Sequence, residues 1–130
     1  MYRRTFGFAA LLAAVTPFVQ ARAADVMPFD QQAFNAAQAA GKPILVAIHA
    51  TWCPICAKQK PILSRLEQDP MYQPLVVFMV DFDSQKDVVK AMRATMQSTM
   101  IVFHGSAEKG RSVGDTDAAS IAGLLEKSLA

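Results

Sequence analysis

Cysteine is scarce in this 130-residue chain: there are two, Cys53 and Cys56, separated by two residues. A single pair builds no disulfide framework, so any core must hold together without staples. A four-ligand zinc site would need both histidines as well, and neither His49 nor His104 is spaced like a finger ligand. Covalent haem would want a histidine directly after Cys56, where Ala57 stands. Proline is missing altogether after Pro74. Net charge is small, with thirteen Lys and Arg against eleven Asp and Glu, and no basic patch argues for nucleic acid. Repeats and low-complexity tracts are absent too, which leaves no sign of a second domain.

What is there begins with a targeting pattern. Arg3 and Arg4 precede an apolar stretch over 6–19, and Ala21-Arg22-Ala23 has the A-x-A form of a cleavage site. The stretch is too short, and too soon followed by polar sequence, to read as a membrane span. We expect residues 1–23 to be a cleaved export signal and 24–130 to be one domain. Loss of Arg3, Arg4 and Arg22 turns the formal charge of +2 into −1. The general secretory route is the expectation, although Arg3-Arg4-Thr5-Phe6 also resembles a twin-arginine signal. Either route delivers the protein outside the cytoplasm, into a bacterial periplasm on this reading, where a cysteine pair meets oxidising surroundings.

Periodicity and breakers divide the remainder. Residues 25–29 suit a short edge strand or an irregular lead-in. Asp30 is a good N-cap for a helix to residue 40, stopped by Gly41 and Pro43. The runs over 44–50 and 75–82 are almost continuously apolar, as in strands covered on both faces. A helix from Cys53 to about Leu66 carries Pro61 inside it, and 69–74 form a loop. A third helix is expected from Ser84 to about Thr95, then a β-hairpin of 100–103 with 111–113, then a helix to about Leu129 capped by Asp115 or Thr116.

The two cysteines lie where the first apolar strand gives way to a helix. That junction puts Cys53 at a helix N-terminus, where unpaired N–H groups and the macrodipole favour a thiolate. Cys56 is one turn further in, on the same face, within reach to attack a mixed disulfide. Cys53 is thus the candidate nucleophile and Cys56 the resolving thiol. An inert disulfide that only pins a turn is the bland alternative, although so short a loop constrains the unfolded chain little.

With Trp52 just before the first cysteine and Pro61-Ile62-Leu63 five residues after the second, the stretch resembles the thioredoxin superfamily, and the element order extends the resemblance over the whole mature chain. It implies an α/β thioredoxin fold, a central mixed sheet flanked by helices, and thiol–disulfide exchange through a redox-active Cys53–Cys56 disulfide. No further cofactor and no metal is implied. Trp52 would shield the disulfide and offer a flat surface to a partner. Pro54 and Ile55, the intervening pair, would tune the thiolate.

Two departures stand out. Where thioredoxins carry a buried Asp six residues before the nucleophile, this chain has Ala47, so the proton of the resolving thiol must go elsewhere. His49, on the same strand face, is the candidate for proton transfer. Where the family has a cis-proline opposite the thiols, this chain has Ser98, followed by Thr99. A trans bond or altered loop is expected there, because a non-proline cis bond costs about 3 kcal/mol. An exposed hydroxyl in that loop would reach a thiolate. A proline restored at 98 would either adopt the docking geometry or break a strand hydrogen bond.

The reading is therefore an exported, monomeric thiol–disulfide oxidoreductase that reduces client protein disulfides. It would be recharged by a membrane electron donor, or by an oxidase if it runs the other way. The rival is a copper-handling or assembly-binding protein using the same thiols with His49 or a methionine. Met92, Met96 and Met100 invite that rival by their spacing, though core packing explains them more simply. Asp81 and Asp83 bracket a strand end and read as solvated loop carboxylates.

Overall fold

The computed structural model describes residues 12–17 and 23–130, and most of the expected signal segment lies outside them. No helix among the described residues is long and apolar enough to cross a membrane. The elements in chain order are β1 (Asp25–Pro28), α1 (Gln31–Ala39), β2 (Pro43–His49), α2 (Pro54–Glu67), a 3₁₀ turn (Pro70–Tyr72), β3 (Val76–Asp81), α3 (Lys86–Ala91), β4 (Thr99–His104), β5 (Ala107–Val113) and α4 (Ala118–Lys127).

The five strands form one sheet in the order β1-β3-β2-β4-β5. β3 runs parallel to both β1 and β2, while β4 runs antiparallel to β2 and β5, which makes the sheet mixed. The two apolar runs are β2 and β3, two of its three interior strands. Because strand side chains alternate, β2 feeds two cores. Leu45 and Ala47 pack with Leu63 of α2 and with Ile121, Leu124 and Leu125 of α4. Ile44, Val46 and Ile48 pack on the opposite face with Phe34 of α1 and Val89 of α3. Phe34 meets Phe29, Phe78 and Phe103 at ring centroid separations of 5.3, 5.6 and 5.6 Å.

Helix ends show which signals were local. At α1, Asp30 caps the start by accepting from Ala33 N–H at 2.9 Å. Its end is closed by Gly41 at φ +68°, with Gly41 N–H and Lys42 N–H donating to Gln38 and Ala37 carbonyls. The end of α3 has the same wiring but no glycine: Arg93 takes φ +54°, and Arg93 and Ala94 donate to Lys90 and Val89. That left-handed arginine corrects the expected helix to Thr95, ending it at Ala91. α4 is capped by Asp117, whose carboxylate accepts from Ser120 N–H at 2.9 Å, rather than by Asp115 or Thr116.

Candidate active site

Ala50, Cys53 and Cys56 form a small buried cluster beyond the end of β2, with Phe82 packed against it. Cys53 is the N-cap residue of α2, in extended geometry, and Pro54 opens the first turn, where a missing N–H costs nothing. The turn is closed by Cys53 N–H donating to Ala50 O at 3.2 Å and Ala57 N–H to Cys53 O at 3.1 Å. Cys53 and Cys56 are joined as a disulfide with Cα atoms 5.3 Å apart. Cys56 N–H, one of the unpaired amides of the first helical turn, points at Cys53 Sγ at 3.1 Å. The arrangement gives the first sulfur the positive end of the helix and keeps the second within bonding distance.

Trp52 is 56% exposed and stands beside this disulfide, edge-on to Phe82. Its indole N–H donates to Asp83 at 2.7 Å, a tie across 31 residues of sequence. Asp83 is therefore more than a solvated loop carboxylate: it fixes the ring. Asp81 organises the same turn by accepting from Asp83 N–H at 2.9 Å and Ser84 N–H at 3.1 Å. The N–H groups of Ser84 and Asp83 hold the Asp81 carboxyl below the usual carboxylate range.

A cleft of about 580 Å³ opens on the α2 side of β2, and Ala47, His49, Cys53, Cys56, Lys60 and Glu67 all line it. The small side chain of Ala47 leaves that wall without a carboxylate. His49 reaches the cleft because it shares a strand face with Ala47, so the structure brings it together with both cysteines. Burial at the far end of the cleft pushes the Glu67 carboxyl up from its ordinary value.

The segment before β4 has the trans bond and the altered loop expected where the proline is missing. No peptide bond among the described residues is cis, and Ser98 adopts φ +62°, the left-handed region. Ser98 and Thr99 are each only 2% exposed, so the expected exposed hydroxyl is absent. The Thr99 hydroxyl donates to Met96 O at 2.6 Å. Ser98 N–H donates to Ile48 O at 2.8 Å, and Ser98 O accepts from Gly114 N–H at 3.1 Å. A Cβ at Gly114 would lie 3.9 Å from Ile55 Cδ1 and 4.0 Å from Ser98 Oγ, so three separate segments meet beside the cysteine turn.

Gln59 was not singled out by its sequence. It is 4% exposed, in the buried stripe of α2 between Cys56 and Leu63. The available signal was a primary amide at a position whose helical neighbours at i−3 and i+4 are core residues. The three methionines do not converge: Met100 is fully buried on the α2 and α4 side, Met92 packs on the opposite face, and Met96 is exposed. Among the described residues no group of three or more His, Cys, Asp or Glu is arranged to hold a metal ion.

Comparison with known proteins agrees with this geometry. The thioredoxin family model matches residues 25–127. Thioredoxin of Echinococcus granulosus is 30% identical over 93 residues, covering 72% of this chain and 85% of that protein. The bifunctional thioredoxin reductase/thioredoxin of Mycobacterium leprae is 31% identical over 85 residues, covering 65% of this chain but only 18% of that much longer protein. Among solved structures, Trxlp from Edwardsiella tarda superposes with a TM-score of 0.76 at 39% identity, over 78% of this chain and 98% of that one. A five-stranded mixed sheet with a cysteine pair at the head of α2, matched by this family over residues 25–127, leads to one conclusion: the chain belongs to the thioredoxin family of thiol–disulfide oxidoreductases.

Proposed function

We propose that the protein is an exported reductant of client protein disulfides, with Cys53 as nucleophile and Cys56 as resolving thiol. The observation that carries this reading is the position of Cys53 as the N-cap of α2, with Cys56 one turn inside. In the reduced protein, Cys53 thiolate attacks one sulfur of the client disulfide, and the departing client thiolate takes a proton. Cys56 then loses its proton and attacks Cys53 Sγ, which releases the second client thiolate. Two electrons pass to the client, its two thiolates take up the proton given up by Cys56 and one from solvent, and the Cys53–Cys56 disulfide remains. With Ala47 in the strand, His49 is the group in the cleft that accepts the Cys56 proton.

The direction rests on what surrounds the sulfur. Strong disulfide oxidants are oxidising because their reduced form is stabilised. Among the described residues the bond at Cys53 Sγ comes from one backbone amide, Cys56 N–H, and neither Pro54 nor Ile55 brings a side-chain donor. A reduced form held by the helix end and that amide alone gains less than the reduced form of a strong oxidant, and on this reading the couple runs as a reductant. By its name, the Mycobacterium leprae relative joins a thioredoxin to its reductase. By analogy, a separate donor, membrane-bound if the chain is exported, regenerates the dithiol here.

The test is insulin reduction with dithiothreitol as electron source. The mature chain should accelerate it, and His49→Gln should slow the resolving step. Copper retained through dialysis, without insulin reduction, would contradict the reading. Export is checked by fractionating cells that carry the full chain: it should appear outside the cytoplasm, and a cytoplasmic location would remove that part of the proposal.

A further inference from the structure

Burying a primary amide is unfavourable unless its N–H groups find partners. Gln59 satisfies this in an unusual way. Its Nε2 donates to Ser98 O at 3.2 Å and to Asp115 O at 2.9 Å, two carbonyls on two different loops, 39 and 56 residues away. These loops carry the unusual backbone of the site: Ser98 at φ +62° and Gly114 at φ +71°. They also meet each other, since Gly114 N–H donates to Ser98 O. The Ser98 carbonyl thus accepts twice, once from the neighbouring loop and once from the helix that bears both cysteines.

We propose that Gln59 is a positioning residue for protein substrates: its amide locks the Ser98 and Asp115 loops to α2, and so holds the wall beside Ile55 in register with Cys53. A serine in the left-handed region persists only where its surroundings over-determine it. Here the restraints are the bond from Ser98 N–H to Ile48 O and the two donors on its carbonyl. Without Gln59, two restraints remain on Ser98 and the link to the thiol-bearing helix is gone. Gln59 touches neither sulfur through a hydrogen bond, so its effect falls on docking rather than on the exchange chemistry. A small disulfide needs only to reach Cys53, whereas a protein disulfide must also lay its flanking chain against the wall.

This inference rests on the oxidoreductase reading above, and the experiment separates the two. Rates of reduction of insulin and of glutathione disulfide are compared for the wild type, Gln59→Met and Gln59→Glu, each checked as folded by circular dichroism. Gln59→Met keeps the length and removes the donors. Gln59→Glu keeps the shape but sets acceptors against two carbonyl oxygens. Gln59→Met is expected to lose about tenfold on insulin, the equivalent of one hydrogen bond's worth of alignment, with glutathione disulfide unchanged. Gln59→Glu is expected to lose more, again on insulin alone. Rates that fall together on both substrates, or an unchanged ratio with only a lower melting temperature, would overturn the positioning role. A wild type inactive on both substrates would overturn the oxidoreductase reading itself and the inference with it.

Discussion

Cys53→Ser is expected to reduce insulin no faster than the uncatalysed reaction, while Cys56→Ser is expected to stall as a covalent complex with its client. The asymmetry follows from geometry. Cys53 caps α2, where the helix end favours a negative sulfur. Serine at this position keeps the cap, because a hydroxyl also accepts from the amide of residue 56, so the fold survives while the nucleophile is lost. Cys56 lies one turn inside, and its replacement leaves the first attack intact but nothing to release the product. Non-reducing electrophoresis after mixing with reducible client proteins reads both outcomes. Complexes trapped by Cys53→Ser rather than Cys56→Ser would reverse the assignment.

Ser98→Pro is expected to destabilise the domain by about 3 kcal/mol or more, a large share of the stability of a domain this size. Proline fixes φ near −65°, whereas Ser98 sits at +62°. Proline also removes the N–H that bonds Ile48 O at 2.8 Å. The geometry therefore favours the broken strand bond over the docking geometry as the result of restoring the family proline. Ser98→Gly is the control: glycine takes this backbone without steric cost and should be neutral to stabilising, within about 1 kcal/mol. Urea denaturation midpoints compare the three proteins. An unchanged midpoint for Ser98→Pro would mean that the loop is not held as described.

How much of this was legible in the sequence depends on how local the signal is. The interior strands were plain because residues buried on both faces are apolar without interruption, as in 44–50. Gly41 announced the end of α1 because the left-handed closing residue is usually glycine. Arg93 does the same job at the end of α3 with no such mark, so the helix was read four residues past its end. The disulfide was legible because strand, N-cap and turn are contiguous. The parts that shape its surroundings were not. Trp52 with Asp83 and Gln59 with Ser98 and Asp115 are bonds between residues far apart in sequence, and neither side of such a pair has a local pattern that names its partner. The missing proline was visible. So was Ser98 in its place on an altered loop; its left-handed backbone and its tie to the thiol helix were not.

The reduction potential of the Cys53–Cys56 couple tests the central claim most directly. The mature protein is equilibrated with glutathione buffers of graded ratio, and the fraction of disulfide is read after acid quenching and alkylation. With one backbone amide at the Cys53 sulfur and no side-chain donor between the cysteines, the account predicts a value well below about −220 mV, in the range of a reductant. A value near about −120 mV would contradict it and mark the protein as an oxidant.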